Sequence, residues 1–316
     1  MPLHPVIERA LAAAVGTPAY FEMPIAEARA LAKMGYPPNP TPVPVGAVRE
    51  VFIPGPGGAI PMRLYTPAGA GPHPIVLYFH GSGFVLLDLD SHDDLCRRLC
   101  AGASCLVASV DYRLAPENPY PAAPDDCLAA TRWMAANAAD FAGDASRMVV
   151  AGDSAGACLA AVTALRIRAE GGPRLSGQLL FYPVTDYPSA PGASYQAYGA
   201  GYGLTDQGMR WFWRQYLPDA SAAAHEHVSP LRAREPAGLP SACVLTAEYD
   251  VLHDEGMAYA RMLADAGVPS VARSYAGMNH GFLKYAGVID EAGAALDDAC
   301  QWLKGVFQQG GQVLHG

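Results

Sequence analysis

The chain has 316 residues, 51% of them apolar, and a formal net charge of −9. That length and apolar share suffice for one large core in a single α/β domain, while the acidity and the lack of a basic cluster argue against a nucleic-acid partner, whose phosphates need a positive face. No stretch approaches the ~18 continuous apolar residues of a membrane helix, and the seven cysteines, an odd number without a CxxC pair, do not make a secreted disulfide framework and read as reduced thiols.

From the N-terminus, Pro5 to Val15 and Ile25 to Met34 are predicted to form short helices, with Pro24 suited to the first turn of the second and Gly35 to its end. Glu8 and Arg9 precede only the short apolar stretch Leu11 to Val15, without a basic region or cleavage site. No signal peptide is evident, so a cytoplasmic location is expected. Pro37 to Pro44, with proline at 37, 38, 40, 42 and 44, reads as an extended, semi-rigid connector. Val48 to Ile53 and Ala59 to Tyr65 flank Gly55-Pro56-Gly57-Gly58 and predict a hairpin at a sheet edge. Strands then alternate with helices, which implies a mostly parallel sheet flanked by helices.

The strand Ile75 to Phe79 runs into His80-Gly81-Ser82-Gly83-Phe84, where small residues leave backbone N–H groups accessible. Such donors, fixed in advance, can stabilise a developing oxyanion without reorganising. Downstream, Ser91 is a candidate N-cap for a helix carrying Asp93 and Asp94 in its first turn. On that helix Cys96 and Cys100 share one face and read as packing residues. The block Tyr112 to Glu117 carries no evident acid–base chemistry and suggests buried turn contacts with an Arg113 ion pair.

Gly152-Asp153-Ser154-Ala155-Gly156 follows the apolar run Met148 to Ala151 and opens an Ala/Leu-rich helical stretch. In a chain with 33 glycines the G-x-S-x-G pattern alone is weak; its place on a strand–turn–helix is what gives it meaning, because that turn lifts a serine hydroxyl above the sheet end. Ser82, Gly83 and the residue after the nucleophile, Ala155, are then placed to serve as oxyanion donors. Residues 186–227 interrupt the α/β rhythm before an aromatic-rich helix resumes at Gln207 to Leu217. His225-Glu226-His227 lacks further ligands at metal-binding spacing and reads as a solvated loop. The strand Ser241 to Ala247 leads to Glu248, Asp250, Asp254 and Glu255, and the stretch Val271 to Tyr275 leads to Asn279-His280-Gly281. Asp254 and Glu255 suit the first turn of the next helix, leaving Asp250 in the loop to face His280, with Glu248 in reserve. Asp250 and His280 thus lie at the same sheet edge as Ser154, where open α/β sheets bind ligands.

At these residues the chain resembles the α/β-hydrolase carboxylesterases related to mammalian hormone-sensitive lipase, bacterial family IV. The matching blocks are His80 to Phe84, Asp111 to Glu117, the Ser154 motif, Tyr249 to Gly256 and His280-Gly281-Phe282, in the family's order over roughly the last three-quarters of the chain. Ser82 departs from the family by replacing the middle glycine of its H-G-G-G-F motif. The resemblance implies an α/β-hydrolase fold with a helical cap, an N-terminal arm over 1–45 contributing to that cap, a catalytic core over 46–185 and 228–316, and a cap insertion over 186–227. It implies Ser154 as nucleophile, His280 as general base, Asp250 as its orienting acid, and Ser82, Gly83 and Ala155 as the oxyanion hole.

The expected function is therefore a serine carboxylesterase acting on short- to medium-chain esters through an acyl-enzyme, with no metal or organic cofactor. Phe84, Tyr198, Leu204 and Trp211 are candidate substrate contacts. The expected partner is a small-molecule ester, with a homodimer allowed and neither nucleic acid nor membrane bound. A weakly catalytic small-molecule receptor on the same fold, or an amidase or lactonase using the same triad, is the alternative.

Overall fold

The structure is a computed structural model describing residues 1–81, 83–189 and 192–312. Its strands are β1 (Ala47–Gly55), β2 (Gly58–Thr66), β3 (His73–Phe79), β4 (Leu106–Val110), β5 (Gly143–Asp153), β6 (Leu175–Phe181), β7 (Ser241–Tyr249) and β8 (Ser270–Asn279). They form one sheet in the order β1-β2-β4-β3-β5-β6-β7-β8. The expected hairpin is present at its edge: β1 pairs antiparallel with β2 from Ala47↔Thr66 to Gly55↔Gly58. β2 pairs antiparallel with β4, and every later pairing is parallel.

The helices are α1 (Pro5–Ala13), α2 (Ile25–Met34), α3 (Asp93–Ala103), α4 (Ala122–Asn137), α5 (Ala155–Glu170), α6 (Ala193–Tyr198), α7 (Asp206–Tyr216), α8 (His253–Asp265) and α9 (Asp290–Gln312). None among the described residues is long and apolar enough to cross a membrane. β3 is buried at every position, as its continuous apolar run requires of a strand covered on both faces. Its side chains alternate. Ile75, Leu77 and Phe79 join one core with residues of α4, α5 and α8, while Val76 and Tyr78 join the other with residues of α3 and α9. All seven cysteines are buried and unbridged, and Cys96 and Cys100 pack from α3 into the second of these cores.

One predicted cap is corrected. Residues Asp90–His92 form a 3-10 turn ahead of α3, so the position before the helix is His92, not Ser91. The Ser91 hydroxyl instead donates to the Asp88 carbonyl at 2.5 Å, the local competition for backbone partners that serine side chains readily win in turns. The Arg113 ion pair is found: its guanidinium meets the wholly buried Asp126 carboxylate through two 2.8 Å hydrogen bonds.

Segment 1–45 lies against the strand ends that carry the candidate site. The His4 amide donates to the Gly277 carbonyl at 2.9 Å. From α2, Arg29 donates to the carbonyls of Val85 and Ala115 and grips Glu117 through both carboxylate oxygens at 2.7 and 2.8 Å. Tyr20 reaches Phe212 of α7, with ring centroids 6.5 Å apart.

Candidate active site

The turn between β5 and α5 sets the geometry. Ser154 occupies φ 55°, ψ −120°, a conformation that costs a residue with a side chain free energy. The turn is held closed by close approach. A Cβ on Gly156 would lie 1.9 Å from the Phe79 carbonyl oxygen, and one on Gly152 would lie 2.4 Å from the Gly156 backbone. Glycine at both positions lets β3, β5 and α5 converge, as the motif requires. The turn is pinned further by the Ser154 amide donating to the Phe181 carbonyl at 2.8 Å and by the Val184 amide donating to the Ser154 carbonyl at 3.2 Å.

Three distant loops deliver the groups that the sequence singled out. His280 Nε2 lies 2.9 Å from Ser154 Oγ, and His280 Nδ1 lies 2.7 Å from Asp250 Oδ2. An ionised carboxylate only accepts, so Nδ1–H donates to Asp250 and Nε2 is left to accept the serine O–H. Asp250 is 2% exposed, and its second oxygen accepts the Leu252 amide at 2.9 Å, which fixes the carboxylate plane. The other acids of that segment are engaged elsewhere. Glu248 accepts the Gly277 amide at 2.7 Å and holds the Met1 ammonium. Asp254 accepts the Ser194 amide at 2.8 Å. Half-buried Glu255 accepts the Thr185 amide at 2.7 Å, and desolvation of its carboxyl pushes it up to about 8.

Of the expected oxyanion donors, Ser82 lies outside the described residues. Ala155 is the first residue of α5, where helix amides have no intrahelical acceptor. Gly83 has φ +59°, and a Cβ there would come within 2.2 Å of the Phe212 ring, so Phe212 covers this loop directly. Of the candidate substrate contacts, Phe84 is 2% exposed and stacks on Tyr216 at 3.8 Å between centroids. Trp211 is buried against Phe212 at 5.0 Å. Tyr198 is half-buried in a cluster with Tyr202 and Tyr249, and Leu204 is half-buried. Phe84 and Trp211 thus pack on neighbouring aromatic rings of α7.

Two further residues neighbour the site. Phe212 sits over Gly83, and Tyr182, at φ 35°, packs edge-on against His280 with centroids 4.9 Å apart. Tyr182 follows β6 directly at the sheet edge that carries ligands, a signal that was available. The phase of Phe212 around α7 was not, because Trp211, Phe212 and Trp213 are consecutive. Among the described residues no group of three or more His, Cys, Asp or Glu side chains is placed to hold a metal; the rings of His225 and His227 meet edge-on with centroids 4.6 Å apart.

A profile of the α/β-hydrolase fold matches residues 76–284. The chain is 43% identical over 276 residues to the esterase LipI of Mycobacterium tuberculosis, covering 85% of this chain and 83% of that one. It is 40% identical over 250 residues to an ethyl acetate hydrolase of Pseudomonas putida, covering 76% of each. Among solved structures, a hyperthermophilic esterase of the archaeon Pyrobaculum calidifontis superposes with a TM-score of 0.90 at 38% identity, over 96% of this chain and 99% of that one. A thermostable esterase from Pseudomonas putida superposes with a TM-score of 0.93 at 36% identity, over 97% and 98%.

Proposed function

Because the chain belongs to the α/β-hydrolase family, among the hormone-sensitive-lipase-like carboxylesterases, and is a carboxylic ester hydrolase, we propose that it acts through a Ser154–His280–Asp250 triad on short- to medium-chain esters. The observation that carries the proposal is the continuous line from Asp250 through His280 to Ser154, 2.7 and 2.9 Å long at its two joints.

The Ser154 hydroxyl attacks the ester carbonyl as His280 Nε2 takes its proton. Asp250 holds the ring and stabilises the imidazolium. The oxyanion is received by the amides of Gly83 and Ala155, with Ser82 as the third donor of the proposal. His280 then protonates the departing alcohol. Water, activated by the same base, attacks the acyl-enzyme and releases the carboxylic acid and free Ser154. Segments 1–45 and 186–227 serve as the cap in this proposal, a role supported by the Tyr20–Phe212 contact above the oxyanion loop. The receptor reading is not favoured, since the relatives are esterases.

Acyl preference follows from an enclosure of finite size. The Phe212 ring closes over Gly83, and Tyr187, Tyr195, Tyr198 and Tyr202 make segment 186–227 aromatic and partly polar. Each methylene adds about 0.8 kcal/mol while apolar space receives it, and nothing once that space is filled. Across soluble monomeric esters, kcat/KM is expected to peak at about four to eight acyl carbons and then fall. A continued rise through long-chain esters, or activation at an oil–water interface, would contradict the compact enclosure. Lactones and amides of matched size, run in the same panel, are expected to turn over more slowly than the best ester.

A further inference from the structure

Next to the nucleophile in sequence, the Asp153 side chain meets three groups from other elements, at the floor of a cavity that it lines together with His92, Tyr36 and Lys284. Its Oδ1 accepts the Tyr78 hydroxyl at 2.7 Å and the Gly81 amide at 2.8 Å. His92 Nε2 lies 3.2 Å from the same oxygen. Both Asp153 and His92 are at most 5% exposed. Asp153 thereby joins three elements: β3 through Tyr78, the start of the oxyanion loop through Gly81, and the turn before α3 through His92. The fit around Gly81 is tight, since a Cβ there would lie 2.1 Å from Asp153 Oδ2.

The hydrogen-bond donors in this cluster fix a charge state. The Ser91 hydroxyl is 2.5 Å from the Asp88 carbonyl oxygen, which can only accept, so the single hydroxyl proton is committed there. His92 Nδ1, 2.9 Å from Ser91 Oγ, must therefore carry a proton and donate it. Asp153 offers only acceptors, so Nε2 must carry one too. With both nitrogens donating, His92 would be an imidazolium. Burial alone would raise the Asp153 carboxyl, yet the His92 charge and the three hydrogen bonds hold it below its ordinary range. Next door, burial first and the His92 charge second push His80 down to about 3, so that ring is neutral.

We propose that His92 and Asp153 form a buried ion pair that acts as a positioning unit, locking the Gly81 end of the oxyanion loop to the nucleophile turn. The inference rests on the Ser154 triad reading. Loss of the His92 proton would remove a donor from Asp153 and loosen its hold on Gly81. The oxyanion amides beyond Gly81 would then be misplaced where charge develops, which affects turnover more than ground-state binding.

The charged and titratable groups facing His92 come from several elements. Tyr36, after α2, stacks on it at 5.8 Å, and Tyr78 of β3 and His80 after β3 lie 6.2 and 5.5 Å away. Asp88 adjoins through Ser91, Asp111 lies 4.0 Å from His80, and Lys284 sits over the far side of the Tyr36 ring. Burial raises both tyrosines and lowers Lys284, so Lys284 needs a control of its own.

The test first confirms, with wild-type enzyme, that an organophosphonate labels Ser154 one-to-one; failure there defeats the triad reading rather than the ion pair. Nitrogen-15 NMR of the imidazole rings, assigned with His92→Gln, is expected to find both His92 nitrogens protonated at neutral pH. In wild type and in Lys284→Met alike, kcat is expected to fall at alkaline pH along the same curve as the His92 nitrogen shifts. His92→Gln keeps a neutral N–H donor. It is expected to lower kcat about tenfold or more with KM within about twofold, to lose that alkaline limb, and to leave the acid side of the profile unchanged. A neutral His92 ring, an alkaline limb that survives in His92→Gln or vanishes in Lys284→Met, or unchanged kcat would each overturn the proposal. Should His92→Gln fail to fold, the coincidence or divergence of the wild-type NMR and kcat curves decides it.

Discussion

Ser154→Ala is expected to reduce kcat by about six orders of magnitude, since removing the nucleophile of such a triad leaves only binding and oxyanion stabilisation. The Oγ atom is the one acceptor and donor that meets His280 Nε2, at 2.9 Å. No neighbouring hydroxyl is hydrogen-bonded to that nitrogen among the described residues. The variant should fold, because alanine keeps the Cβ and the amide that donates to Phe181. Two measurements check this: turnover of a soluble ester after removal of any wild-type contaminant, and peptide mass mapping of organophosphonate-treated enzyme. Substantial turnover by the variant, or full inactivation with the label on another serine, would remove Ser154 from its role.

Asp250→Asn is expected to lower kcat by about ten-thousand-fold, because an amide can present its N–H to His280 Nδ1 and so favour the wrong tautomer. Nε2 would then carry the proton and could not accept one from Ser154. Asp254→Asn provides the contrast. Asp254 accepts the Ser194 amide at 2.8 Å and touches His253, not His280, so losing part of one partly exposed hydrogen bond should cost less than about tenfold. Kinetics of both variants, with circular dichroism to establish folding, separate the two carboxylates. The reverse ranking would move the acid to Asp254.

The serine, the acid and the histidine were legible because each belongs to a short local pattern and each pattern ends a strand. Parallel strands then carry Ser154, Asp250 and His280 to one edge whatever the details of packing. Asp250 could be separated from Asp254 and Glu255 by the same reasoning, since helix starts attract carboxylates and α8 begins at His253. What stayed hidden depended on relations between elements. The placement of Phe212 on Gly83 requires the rotation of α7 about its axis, which three consecutive aromatics do not reveal. The pairing of Asp153 with His92 spans 61 positions and a turn whose 3-10 geometry was read as the start of a helix. Ser91 illustrates the same point: its pattern suited a cap, but the Asp88 carbonyl three residues earlier offered a better partner.

The backbone of Ser154 carries a further implication for how this protein trades robustness against reactivity. At φ 55° and ψ −120° Ser154 sits where glycine is at ease and a residue with a Cβ is not. A locally unfavourable residue therefore stands at the point where α5 begins. Inactive variants are then not equivalent to one another: Ser154→Ala preserves the strain, whereas Ser154→Gly releases it and is expected to be the more thermostable by about 1 kcal/mol, after the greater unfolded-state freedom of glycine is deducted. A chain relieved of its function in this way would outlast the working enzyme, and calorimetry of the two dead variants would measure the conformational cost of keeping the serine poised.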